Sequence, residues 1–344
     1  MKTSIGVGGY ARGDITGAAK FVQAADALGV DYVWSAEAWG QDAVTSLAYL
    51  AGKTERIKLG TGIMQISARV PAMTAMTALS LNALSGGRFV LGLGASGPQV
   101  VEGLHGADYR APLTRLRETV DICRMAFRGE KLAYEGKKIT LPRPGGEGKA
   151  IRLDHPPADI PIFLATLGPK SLEYTGAAAD GWLGTSFSPD HAGAHLDFIR
   201  KGASDAGRAV DAVELHAAVG IAIGEDVQGM IDSRKAGVAF QMGAMGSAQT
   251  NFYNEAFQRA GYTDDALAIQ QLWLDGKRKE AAQRVPDAMV TEFQAIGTRD
   301  MVKERLARYK AVGINALDLR LEQGGDSGER RTRLEDVMEI VSEL

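Results

Sequence analysis

The chain has 344 residues, 45% of them hydrophobic, and a formal net charge of −3. This composition suffices for a large buried core, and the near-neutral charge without a basic cluster gives no support for nucleic-acid binding. A single cysteine, Cys123, excludes disulfides and cysteine-based metal sites, and no long apolar segment or signal region is present. We therefore expect a soluble, cytoplasmic protein that binds neither nucleic acid nor membrane.

Short strands and amphipathic helices alternate along the chain. The predicted strands cover 4–8, 32–35, 57–61, 89–91, 162–165, 181–185, 214–223 and 315–319. The predicted helices cover 16–28, 42–53, 71–84, 113–128, 170–178, 192–206, 299–311 and 332–344. Eight strands that each lead into a helix predict an α/β fold, the (β/α)8 TIM barrel.

Two segments interrupt this alternation. An insertion at about 130–158 contains the proline- and glycine-rich segment 134–157, which predicts a loop or a small hairpin. A helix-rich region over 227–295 is longer than one crossover requires. We expect residues 1–344 to form a single domain with these two insertions.

The most informative stretch is 85–98, with the sequence S-G-G-R-F-V-L-G-L-G-A-S-G-P. Its apolar run predicts a buried strand, and the glycines after it let a flat or phosphorylated ligand approach the backbone. The letters also match the dinucleotide fingerprint G-x-G-x-x-G, but no second buried strand follows, as that fold requires. A glycine-rich strand end is the preferred interpretation.

Other polar and aromatic residues follow predicted strands and are candidates for a substrate pocket. Tyr10 and Trp39 follow strands one and two, although packing is a competing explanation for both. Gln65, with Ser67 and Arg69, follows strand three, and His105 follows strand four, where a solvated loop histidine is the simpler account. The remaining histidines show no metal spacing, so we predict no metal site and expect these side chains at the surface: His155, His191, His195 and His216.

Several short motifs together resemble the bacterial luciferase-like superfamily, and within it the branch that uses the deazaflavin coenzyme F420. That branch includes methylenetetrahydromethanopterin reductases and F420-dependent glucose-6-phosphate dehydrogenases. The motifs are W-S-A-E-A-W-G at 34–40, L-G-T-G-I at 59–63, G-G-R-F-V-L-G-L-G at 86–94, G-P-K at 168–170, A-A-D-G-W at 178–182 and V-P-D-A-M-V-T-E-F-Q-A-I-G-T at 285–298. Each is modest alone, but their order and spacing are specific.

The resemblance implies where a cofactor would bind. A cis peptide bond is implied at Gly62–Ile63, behind the cofactor ring. Backbone near the ring or its side chain is implied at Ala95, Ser96 and Gly97, and Gly181 and Trp182 would flank the same site. The turn that would offer amides to a phosphate consists of Ala165, Thr166, Leu167, Gly168, Pro169 and Lys170.

One position departs from the pattern of the branch. Several F420 enzymes place Asp-His at the end of strand two, where this chain has Ala36-Glu37. Glu37 is the candidate catalytic residue, as an acid or as a hydrogen-bond partner. The alternative is a carboxylate that only pairs with a nearby arginine.

The resemblance implies an oxidoreductase that transfers a hydride between the C5 atom of F420 and a small organic substrate. Two alternatives keep the fold: an FMN-dependent, oxygen-using monooxygenase, and a barrel that binds a flavin without turnover. The family habit and the helical insertion also predict a homodimer. Fold alone does not decide among these functions.

Overall fold

The computed structural model describes residues 1–8, 13–247, 250–322 and 327–344. Its strands are β1 (Lys2–Gly6), β2 (Tyr32–Ser35), β3 (Lys58–Thr61), β4 (Met64–Gln65), β5 (Phe89–Gly94), β6 (Tyr134–Glu135), β7 (Thr140–Leu141), β8 (Ile162–Leu164), β9 (Gly181–Gly184), β10 (Glu214–Ile223), β11 (Gln294–Gly297) and β12 (Ala316–Leu321). Its α-helices are α1 (Ile15–Ala27), α2 (Ala43–Ala51), α3 (Pro71–Leu84), α4 (Pro112–Phe127), α5 (Pro169–Ala178), α6 (Gly193–Asp205), α7 (Val227–Ala244), α8 (Phe252–Phe257), α9 (Thr263–Leu274), α10 (Arg278–Gln283), α11 (Asp287–Thr291), α12 (Arg299–Ala311) and α13 (Ser327–Ser342).

The fold is the predicted (β/α)8 barrel, whose strands are β1, β2, β3, β5, β8, β9, β10 and β12. The chain forms two compact units: an N-terminal half of residues 7–165, and a C-terminal half of residues 1–6 and 166–344. That both halves make one domain stays a prediction.

The N-terminal half contains four parallel barrel strands in the order β2-β3-β5-β8, and β4 adds a short parallel pairing to β5. Its helices begin where the sequence supplies a start signal. The Asp42 carboxylate caps α2 by accepting a 2.8 Å hydrogen bond from the Thr45 amide, and Pro71 begins α3. The first predicted insertion contains the antiparallel pair β6–β7.

The C-terminal half contains the parallel order β9-β10-β12-β1, with β11 paired to the end of β10. Strand β11 was not predicted, because it lies at the end of the region interpreted as helical over 227–295. Helices α7 to α11 lie in the described part of that region and share a buried apolar cluster, which includes Met242, Phe257, Ile269 and Phe293.

Within the described ranges, no helix combines the length and the apolar character that a membrane crossing would need.

Candidate active site

The end of β3 in the N-terminal half is shaped around the ring of Trp34. A Cβ atom on Gly60 would lie 2.0 Å from Trp34 Cζ3, and one on Gly62 would lie 3.0 Å from Trp34 Cβ. Gly60 therefore requires glycine, because a side chain there would displace the indole, and Gly62 leaves only a tight fit for one. The peptide bond between Gly62 and Ile63 is cis, at the position that the resemblance implied.

Glu37 lies just beyond β2, and both of its carboxylate oxygens accept hydrogen bonds. Its side chain is 7% exposed and pairs with Arg69, whose Nη1 lies 2.7 Å from Oε1. Its carboxylate oxygens also accept the amides of Ala43 at 3.3 Å and Gln65 at 3.2 Å. The arginine pairing considered from the sequence is thus present, and the carboxylate ties β2 to the start of α2 and to the loop after β4.

Two polar side chains, one in β4 and one in the loop after it, have atoms without a partner in the described part of the chain. Gln65 is 1% exposed, and its Nε2 donates to the Glu37 carbonyl at 3.1 Å. Its Oε1 and the Ser67 hydroxyl are buried and have no hydrogen-bond partner among the described residues. Native structures rarely leave such groups unsatisfied, so these two atoms fit a site that receives hydrogen bonds from a ligand.

The end of β5 has an unusual backbone. Gly94 is buried, and a Cβ there would lie 2.9 Å from Cδ1 of Ile63. Ser96 has a φ of 60°, a left-handed conformation that costs energy for a residue with a side chain. A Cβ on Gly97 would meet Gln99 Oε1 at 3.8 Å, an ordinary van der Waals contact. Strained backbone at a strand end is typical of ligand sites.

The predicted phosphate turn lies between β8 and α5. Ala165 is its first residue and belongs to the N-terminal half, where its amide bonds the Leu93 carbonyl at 3.0 Å. In the C-terminal half, α5 begins at Pro169 with Gly168 as an N-cap that supplies no side-chain hydrogen bond. Lys170 is exposed in the first turn. Pro169 has no N–H, and the Ser171 and Leu172 amides bond the Gly168 carbonyl at 3.0 and 2.9 Å. An anion at this helix start would therefore use the Lys170 amide.

Three contacts hold this turn in place. The Thr166 hydroxyl bonds that of Thr175 at 2.7 Å, and the Thr166 carbonyl accepts from Trp182 Nε1 at 3.0 Å. Arg259, which the sequence interpretation missed, donates from Nη2 to the Leu167 carbonyl at 2.6 Å. Burial lowers the pKa of this guanidinium. No motif marks Arg259, because its partner is a carbonyl 92 residues away.

Gly181 and Trp182 are buried at the start of β9. The Trp182 side chain is 0% exposed and packs on the rings of Phe187 and His195, with centroid separations of 5.8 and 5.6 Å. Its contact with the phosphate turn is through the indole N–H. Trp182 therefore supports the turn from within the core.

The other predicted pocket residues lie in varied surroundings. His105 is exposed, Trp39 is 66% exposed, and Tyr10 lies outside the described residues. The expectation of surface histidines is wrong for His195 and His216, which are 2% and 1% exposed. His195 packs among aromatic rings, and burial lowers its pKa to about 3.

Comparisons with known proteins place the chain in a family. The family model described as luciferase-like monooxygenase matches residues 1–316. A Mycobacterium tuberculosis protein, provisionally named a coenzyme F420-dependent oxidoreductase, is 39% identical over 87% of this chain and 89% of its own length. The 5,10-methylenetetrahydromethanopterin reductase of Archaeoglobus fulgidus is 30% identical over 86% of each chain.

Solved structures agree on the fold. The F420-dependent tetrahydromethanopterin reductase of Methanopyrus kandleri superposes with a TM-score of 0.79 at 24% identity, covering 98% of this chain and 97% of its own. An F420-dependent secondary alcohol dehydrogenase gives a TM-score of 0.75 at 19% identity, covering 99% of each chain.

The chain thus belongs to the luciferase-like monooxygenase family, as the sequence motifs indicated. Within that family it is an oxidoreductase, the activity class that its similar relatives share by name.

Proposed function

We propose that this protein is an F420-dependent oxidoreductase that transfers a hydride between the deazaflavin C5 atom and a small organic substrate. The observation that carries the proposal is the extended similarity to relatives named for F420, at 30–39% identity over 86–87% of the chain. The family match over residues 1–316 covers the strand ends and turns described above.

The described residues fit such a cofactor in two places. In the N-terminal half, the backbone at Gly97, which carries no side chain, would admit a flat ring, and the Gln65 Oε1 and Ser67 hydroxyl, unpartnered among the described residues, would bond its polar edge. In the C-terminal half, the backbone amide and the ammonium of Lys170 at the start of α5 would hold an anionic tail. When bound, F420 would supply or accept the hydride, and the protein would supply orientation and exclude water.

Glu37 fits a positioning role better than a proton-transfer role. Its oxygens already accept from Arg69 and two backbone amides. Each bond occupies an acceptor of the carboxylate, and together they fix β4 with Gln65 and the loop after it. We therefore propose that Glu37 acts as the hydrogen-bond partner considered from the sequence, holding this loop in the geometry the cofactor needs.

One observation favours FMN as the alternative cofactor. Arginine side chains suit phosphate groups, and Arg259 lies against the phosphate turn. An FMN-dependent enzyme would pass electrons to oxygen and act as a monooxygenase. The names of the similar relatives favour F420. That the protein is a cytoplasmic homodimer stays a prediction.

The proposal is tested by assaying the purified protein with reduced F420 without oxygen and, separately, with reduced FMN in air. We expect a panel of organic carbonyl and imine acceptors to include one that restores the visible absorbance of oxidised F420, and that Gln65→Leu lowers this rate. Substrate-dependent oxygen consumption with reduced FMN, and no reaction with reduced F420, would overturn the proposal in favour of the monooxygenase.

A further inference from the structure

Strand β12 carries polar residues that the proposed cofactor site does not use. Its sequence is A-L-D-L-R-L, and the leucines at 317 and 319 are 0% and 3% exposed. Side chains alternate along a strand, so Asp318 and Arg320 share the opposite face. In (β/α)8 barrels, polar residues near the carboxyl ends of strands line substrate sites.

The neighbours of Asp318 on that face are small. In register beside it are Ser4 on β1 and Ala218 on β10. Asp318 itself is 7% exposed.

A second row lies one step closer to the strand ends. Arg320 is in register with Gly220 on β10, and Gly220 is in register with Gln294 on β11. A Cβ on Gly220 would lie 2.6 Å from Gln294 Oε1, so the Gln294 amide extends over the glycine. A cation, a glycine and an amide thus follow one another across three adjacent strands.

One carboxylate oxygen of Asp318 has no hydrogen-bond partner within the described residues. Oδ2 accepts a hydrogen bond from Arg320 Nη2. Oδ1 is buried and has no partner among residues 1–8, 13–247, 250–322 and 327–344. An unpaired oxygen on a buried carboxylate is destabilising and indicates an absent donor.

Arg320 supplies the complementary group. Its side chain is 51% exposed, and a guanidinium carries five N–H donors, of which the described structure uses one for Asp318. The pair therefore presents an acceptor beside donors, with no net charge. A phosphate or carboxylate placed here would meet the unpaired Asp318 oxygen and be repelled.

We propose that Asp318 and Arg320 form a substrate-recognition site for a neutral amide or lactam group. The substrate N–H would donate to Asp318 Oδ1, and its carbonyl would accept from Arg320, with Gln294 beside it. The site would therefore select an uncharged polar substrate over a sugar phosphate. The inference names the substrate class of the proposed oxidoreductase and rests on that function.

The test is a ligand-observed NMR titration of the full-length protein with two probes, 2-piperidone and N-methyl-2-piperidone. The second probe keeps the ring and the carbonyl but lacks the donor. We expect the wild type to bind 2-piperidone at least about tenfold more tightly, because the methylated probe leaves Asp318 Oδ1 unpaired.

Asp318→Asn places an N–H where Oδ1 accepts, so we expect it to remove that preference. Asp300→Asn, at an exposed position at the start of α12, is the matched control and should keep it. A wild type that binds both probes equally, or neither, would overturn the inference, and so would an Asp318→Asn protein that keeps the preference. The wild-type comparison stands even if that variant does not fold.

F420 binding by the same samples separates the two proposals. A wild type that discriminates between the probes but does not bind F420 would overturn the proposed function and leave the recognition site. A wild type that binds F420 but does not discriminate between the probes would overturn the recognition site and leave the proposed function.

Discussion

At the residue scale, the site is shaped by contacts between residues far apart in sequence. Glu37 and Arg69 are 32 residues apart, and their pairing fixes the loop that follows Gln65. The sequence indicated Glu37 as a candidate by its position after a strand. It could not show that the Glu37 carboxylate already accepts hydrogen bonds from Arg69 and two backbone amides, because those bonds depend on the tertiary contact between two loops.

Replacing Glu37 by glutamine should lower stability measurably. Both partners of the Glu37–Arg69 pair are largely buried, with side chains 7% and 21% exposed, so the variant leaves a poorly solvated cation. We expect a loss of about 2 kcal/mol in the free energy of unfolding, measured by urea denaturation. Glu304→Gln, in a pair with a 71% exposed carboxylate, is the control and should lose less than about 0.5 kcal/mol. Equal losses would contradict the structural role of Glu37.

Gly60→Ala should disrupt the packing of β3 against the Trp34 ring. The new Cβ would lie 2.0 Å from the Trp34 ring, which is 4% exposed and has little room to move. We expect a loss of about 2–3 kcal/mol from overpacking, with a change in tryptophan fluorescence. Gly52→Ala, with nothing within 4 Å of its Cβ position, should leave both properties nearly unchanged. An indole that tolerates the methyl group would show that the ring is not held as described.

His195 should make the protein sensitive to acid. Its pKa in the folded protein is about 3, below the usual value of 6.5. Between these two pH values the unfolded chain binds a proton at His195 and the folded protein does not. Its contribution is therefore fully present above pH 6.5 and declines as the pH falls towards 3. By pH 5 the loss is about 2 kcal/mol.

We expect His195→Leu to lose correspondingly less stability than the wild type between pH 7 and pH 5, measured by thermal or urea unfolding. His105→Leu, at an exposed position, should retain the wild-type dependence. If both variants follow the wild-type curve, His195 does not titrate as its surroundings imply.

At the scale of elements, the alternation of strands and helices could be predicted because apolar runs and glycine boundaries mark it locally. Strand β11 could not, since its four residues follow directly on short helices and it is defined by pairing with β10. Neither could the close approach of α5 and α6, where a Cβ on Gly202 would lie 1.8 Å from the Glu173 carbonyl oxygen. That contact positions the helix whose start forms the candidate phosphate turn.

Gly202→Ala should therefore separate two helices. The clash is with backbone, which cannot rotate away as a side chain can, so we expect a loss of about 3 kcal/mol or more in the free energy of unfolding. Gly237→Ala is the informative control, since it is exposed within α7 with nothing within 4 Å of its Cβ position. That change should stabilise the protein by up to about 1 kcal/mol through helix propensity. A Gly202→Ala variant as stable as the wild type would contradict the observed packing.

At the scale of the whole molecule, the sequence predicted the barrel and the family, because motifs spread from residue 34 to residue 298 agree in order. The family match over residues 1–316 confirms that prediction. The polar row at Asp318 and Arg320 was not predicted. The alternation A-L-D-L-R-L could have indicated that Asp318 and Arg320 share one face of a strand. The unpaired Asp318 Oδ1 and the glycine beside Arg320 could not be predicted, because they depend on the register of three strands.

The central claim is that these strand ends and the turn before α5 bind F420. It is tested most directly by the dissociation constants of F420 and FMN for the purified apoprotein, measured side by side by calorimetry. We expect F420 to bind at least about tenfold more tightly than FMN, a difference of about 1.4 kcal/mol or more. Tighter binding of FMN would move the protein to the monooxygenases, and binding of neither would contradict the cofactor site itself.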